Sequence, residues 1–121
     1  MNSAMAINWE QLSLVLGDDA NPADEEMKDL FRLFVSDAGA RLRGLTDPAR
    51  PFERTPIAKE AHKIRGAASS FGFDHVANLL KTVEGQINEL PQERIEELLR
   101  EALSTFEQCV KEVQERHPNL A

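Results

Sequence analysis

The chain has 121 residues, 41% hydrophobic and 29% charged, with one cysteine and a net charge of −7. That balance fits a folded soluble chain with a single core, and it argues against disorder, a disulfide framework and nucleic-acid binding. No apolar run reaches the roughly 18 residues of a membrane span, and no basic-then-apolar leader is read at the start, so a cytoplasmic domain over residues 1–121 is expected.

Five helical segments and no strand are predicted. Trp9, Leu12 and Leu16 share helical spacing in a short segment from Asn8 to Leu16, stopped by Gly17-Asp18-Asp19. Asn21-Pro22 reads as N-cap and first position of a second helix, with Asp24, Glu25 and Glu26 in its first turn. Its apolar face is Met27, Leu30, Phe31, Phe34, Ala38, Leu42 and Leu45. Leu33 and Val35 fall at the edge of that face and are expected to pack under the first helix or to extend an apolar patch.

Residues 46–54, with Pro48 and Pro51, form the one real loop. Thr55-Pro56 restarts a helix that carries Ile57, Ala61, Ile64, Ala68 and Phe71 on one arc and ends at Gly72. Asp74 is expected to cap the fourth helix, with Val76, Leu80, Val83, Ile87 and Leu90 on one face. Pro91 opens the fifth, with Ile95, Leu98, Leu99, Ala102, Phe106, Cys109 and Val113 inward, and His117-Pro118 closes it. Four amphipathic helices with short connections predict an all-α fold, an antiparallel up-down-up-down four-helix bundle capped by the short first helix.

His62 stands apart from this scheme. It lies roughly 140° from the centre of the third helix's apolar arc at 100° per residue, so it faces water. Gly66 follows one turn later, where a side chain would crowd the imidazole, although glycine in a helix interior costs about 1 kcal/mol. Lys59 and Arg65 flank the same face, and Ser69 lies two turns on. Residues 47–72 carry a net +2, leaving −9 for the rest of the chain. A solvent-facing imidazole is a potential nucleophile or proton carrier, and its cations suit it to an incoming anion such as a phosphoryl group. The competing reading is an ordinary solvated histidine.

Other chemistry is poorly supplied. His62, His75 and His117 lack metal-ligand spacing and Cys109 reads as a core hydrophobe, so no metal is expected. No glycine-rich phosphate loop precedes a helix, and a narrow bundle offers no evident oxyanion pocket, so neither a nucleotide cofactor nor a hydrolase triad is expected. His75 and His117 read as structural or idle.

The run Ala61-His62-Lys63-Ile64-Arg65-Gly66-Ala67-Ala68-Ser69-Ser70-Phe71-Gly72-Phe73 resembles the signature of histidine-containing phosphotransfer (HPt) domains. Val76-Ala77, Leu80 and Val83-Glu84 look like that family's next helix. The resemblance implies a phosphoryl carrier on His62, exchanging reversibly with receiver-domain aspartates of response regulators or hybrid histidine kinases in a two-component phosphorelay. The partner would supply Mg²⁺ and the catalytic groups, so the chain would be a monomeric phosphocarrier rather than an enzyme. Glu84 matches the position that orients the imidazole, while Arg65 stands where the family more often has lysine. Ala67 and Ala68 stand where it often has serine. Two other expectations are the phosphoacceptor domain of a chemotaxis-type histidine kinase, which Phe71-Gly72-Phe73 also resembles, and a helical interaction module that is never phosphorylated. No ATP-binding part is expected within these 121 residues.

Overall fold

The structure, a computed structural model, describes residues 6–17 and 24–118. These form five helices and no strand: α1 (Trp9–Leu16), α2 (Glu25–Thr46), α3 (Arg54–Ser70), α4 (Asp74–Gly85) and α5 (Gln92–Arg116). Helix starts differ in detail from the sequence expectations. Asn21-Pro22 lies outside the described residues, and α2 is capped by Asp24, whose Oδ1 accepts the Met27 N–H at 3.0 Å. Glu25 and Glu26 still occupy the positive end of the helix dipole. Helix α3 begins at Arg54, ahead of Thr55-Pro56, with Glu53 at the N-cap and no side-chain cap bond. Pro56 is then its third residue, where a missing N–H is harmless. Asp74 is the first residue of α4, not its cap, and Phe73 holds the cap position.

Contacts join α2 to α3, α3 to α4, α4 to α5 and α5 back to α2, most extensively between α3 and α4. Each of the four longer helices α2 to α5 therefore packs against the helices on either side of it in this cycle. The expected inward residues of α5, from Ile95 to Val113, are all buried. In α2, however, Leu30 is 45% exposed and Leu33 64% exposed, while Val35 packs against the core. Helix α4 stops at Gly85, so Ile87 and Leu90 lie in the following turn, Ile87 still buried. Small residues matter most in α3: Ala61 and Ala68 are fully buried and let the neighbouring backbones approach closely.

Five phenylalanines fill one end of the core. Phe34 stacks on Phe71 with centroids 4.5 Å apart, and Phe31, Phe73 and Phe106 meet them edge-on or tilted. Such contacts add about 0.5–1.5 kcal/mol per pair beyond area burial. This cluster fixes the α3–α4 turn. The Phe73 N–H donates to Ala68 O at 2.8 Å and the Gly72 N–H to Ser69 O at 3.1 Å, the paired 6→1 and 5→2 bonds of a Schellman motif. The motif needs a left-handed residue, and Gly72 has φ +76°.

The same turn seats α1. The Asn8 N–H donates to Gly72 O at 2.7 Å, and Gln11 Nε2 donates to Ser70 O at 3.0 Å. Leu12 and Leu16 are buried, and half-buried Trp9 lies under the Arg116 guanidinium, 4.1 Å from ring centroid to Cζ.

At the far end, Arg54 Nη1 donates to the carbonyls of Ile87 and Leu90, fastening the start of α3 to the α4–α5 turn. Arg41 bridges α2 and α3, donating to Asp37 and to Glu60 at 2.9 Å each. The Asp37 hydrogen bond and the Glu60 charge raise its guanidinium pKa further still. Cys109 is 1% exposed, and burial, aided by the charge of Glu112, pushes its thiol up to about 12.

Gly72 is held by both its backbone conformation and its surroundings. A Cβ there would stand 2.5 Å from Asn8 O, a backbone atom, as well as forcing positive φ on an L-residue. Gly72→Ala is expected to cost about 1–3 kcal/mol. Chemical denaturation should show that loss, and hydrogen exchange should show faster exchange at Asn8 and Leu12 than in the parent.

Candidate functional site

Burial of Ile57, Ala61, Ile64 and Ala68 fixes the rotation of α3 and turns His62 outward, with 61% of its side chain exposed. Burial of Val76, Leu80 and Val83 does the same for α4 and brings Glu84 to the helix–helix edge. There Glu84 Oε2 lies 2.6 Å from His62 Nδ1. A nitrogen and a carboxylate oxygen at that separation need a proton between them, so Nδ1–H donates to Oε2. In the neutral ring this bond places the proton on Nδ1 and the lone pair on Nε2. Nε2 has no hydrogen-bond partner among the described residues.

Arg65 converges on the same carboxylate. Its Nε is buried and lies 3.0 Å from Glu84 Oε1, an ion pair in which the N–H is not aligned as a hydrogen bond. Its Nη2 lies 3.1 Å from His62 Nδ1. The guanidinium thus sits on the Nδ1 side of the ring and is largely committed to Glu84.

Beside the ring opens a recess of about 610 Å³ between α3 and α4. His62, Arg65, Gly66 and Ser69 line it from α3, Asn78 and Lys81 from α4, and Gln11 from α1. At Gly66 an added Cβ would meet nothing within 4 Å, so the fold itself does not require glycine there. The space lies over the helix beside the imidazole.

His62, Arg65, Gly66 and Ser69 therefore share one recess, and Glu84 touches the imidazole from behind it. Lys59 is exposed one turn before His62 and does not line the recess. Sequence reasoning misses Lys81, Asn78 and Gln11. Helical spacing does place Asn78, Lys81 and Glu84 along adjacent turns of α4, a row the sequence already holds. His75, expected to be structural or idle, pairs with Glu101 at 3.5 Å. Among the described residues no three His, Cys, Asp or Glu side chains gather as a metal set. No described helix is long and apolar enough to cross a membrane.

Comparison with curated proteins and with solved structures gives no match. A family model, that of the Hpt domain, matches residues 26–116. The span takes in the His62 recess and its Glu84 contact and omits α1 with Gln11. With about three quarters of its length matched, from the second residue of α2 to the last of α5, the chain belongs to the Hpt domain family.

Proposed function

We propose that this chain is a phosphocarrier of a two-component phosphorelay, receiving a phosphoryl group on Nε2 of His62 from a receiver-domain aspartate and passing it on reversibly. The observation that carries the reading is the 2.6 Å contact between His62 Nδ1 and Glu84, which in the neutral ring puts the lone pair on Nε2, beside an open recess. In the forward step Nε2 attacks the phosphorus of the aspartyl phosphate. The N–P bond forms, the P–O bond to the aspartate breaks, and the carboxylate departs with the bonding pair. The proton on Nδ1 stays, so the phosphorylated ring is cationic and Glu84 offsets that charge across the hydrogen bond. Transfer to a second receiver runs the same step backwards.

The supporting groups have separate parts. Arg65 holds Glu84 against the ring, Gly66 leaves room for the donor's phosphoryl oxygens, and Ser69 offers a hydroxyl along the recess. Lys59 adds to the positive field of this face, which suits a partner whose phosphorylation site is acidic. Magnesium and the groups that activate the aspartate belong to the receiver, so the chain supplies a nucleophile and a docking surface and is not an enzyme alone. On this reading the whole chain is one cytoplasmic, monomeric module. Its four long helices form an antiparallel up-down-up-down bundle with α1 as cap. The closed cycle of helix contacts and the reach of Arg54 to the α4–α5 turn support that topology.

The test is phosphoryl transfer from phosphorylated receivers, followed as acid-labile, base-stable phosphate on this chain. His62→Gln is expected to abolish it, and Glu84→Gln to slow it about tenfold or more, the scale of losing an orienting partner. A His62→Gln protein that takes up phosphate at the parent rate overturns the proposal and favours a different acceptor. Gly66→Ala separates stability from transfer. It is expected to hold or raise the melting temperature, since alanine is favoured by about 1 kcal/mol in a helix interior. It should nevertheless slow transfer about tenfold by crowding the donor.

A further inference from the structure

The site holds an imbalance of charge that the family motif leaves open. Arg65, the motif's cation, lies on the Nδ1 side of the imidazole and is paired with Glu84, whereas the proposed chemistry occurs at Nε2. A phosphoryl group arriving there brings charge on the side of the ring away from these two Arg65 contacts, although Arg65 also lines the recess. Lys59 and Lys63 are exposed on α3 but do not line the recess. Lys81 does line it, from α4, one turn before Glu84. Lys81 is exposed and has no ion-pair partner among the described residues. Its ammonium sits on a flexible four-carbon stem with three donors, able to follow a moving phosphoryl oxygen.

We infer that Lys81 is the cation that meets the phosphoryl group at His62 Nε2, while Arg65 acts through Glu84 as a positioning residue. The assignment rests on the phosphocarrier reading above. It divides the two positive charges by the side of the ring on which each lies. Gly66 lines the same recess and faces open space, so a phosphoryl group on Nε2 finds room on the side that Lys81 also lines.

Phosphoramidate is the probe, because it loads histidine with no partner protein and so removes docking from the measurement. Nε2 bonds to phosphorus, the donor's P–N bond breaks, and ammonia departs. Intact protein is loaded and the rate of His62 phosphorylation is followed by ³¹P NMR. Lys81→Ala is expected to slow loading about tenfold, the scale of removing one charge-assisted hydrogen bond from the transition state. Lys81→Arg should restore most of the rate, and Lys111→Ala, at an exposed lysine of α5 outside the recess, should leave it at the parent value. Circular dichroism melts of each variant should match the parent, as expected for an exposed side chain. Parent-like loading of Lys81→Ala overturns the assignment of Lys81 alone, and so does equal slowing in Lys111→Ala. Failure of the parent to load at His62, from phosphoramidate and from receivers alike, overturns the phosphocarrier reading and this inference with it.

Discussion

One hydrogen bond sets the terms for the rest of the site: the short contact from His62 Nδ1–H to Glu84 Oε2. An isolated imidazole divides its proton between two nitrogens and rotates freely about its side-chain bonds. Here a carboxylate on a neighbouring helix selects one nitrogen for the proton and one orientation for the ring. The selection holds only while α3 and α4 keep their separation and rotation. Burial of Ala61, Ala68, Val76, Leu80 and Val83 along that helix pair is therefore as much a part of the chemistry as the imidazole.

The α3–α4 turn serves the same end. Its Schellman bonds, the glycine in the left-handed region and the phenylalanine cluster beneath it lock the two helices at one end. Arg54 locks them at the other through the carbonyls after α4. Between these clamps the exposed side chains are free to be polar and charged without loss of register. The recess can then be open and hydrated, a poor place for core packing and a good one for an exchanging anion.

Much of this was legible in the sequence because it depends on one helix at a time. The apolar arc of residues 57–71 is enough to turn His62 outward, and every expected inward position of α5 is buried. Local capping chemistry was less legible. Asn21 and Asp24 are both good caps three residues apart, and the run of acidic residues after Asp24 suits either start. Leu30 and Leu33 fell on or beside a plausible apolar stripe, but α2 meets its neighbours over a narrower arc, and both leucines remain exposed. Lys81 was the least legible of all. On its own helix it is an ordinary solvated lysine, and its nearness to His62 depends on how α4 is rotated against α3. Glu84 could be named only through the family resemblance, for the same reason.

The buried thiol of Cys109 has a practical consequence. At 1% exposure, with its ionisation displaced to about 12, it is nearly inert toward alkylating reagents while the helices are closed. Because the sequence holds no second cysteine, each maleimide taken up counts an excursion in which α5 has come away from its neighbours. The molecule thus carries an internal clock for the opening that exposes this thiol, readable by mass spectrometry without dyes or engineered residues.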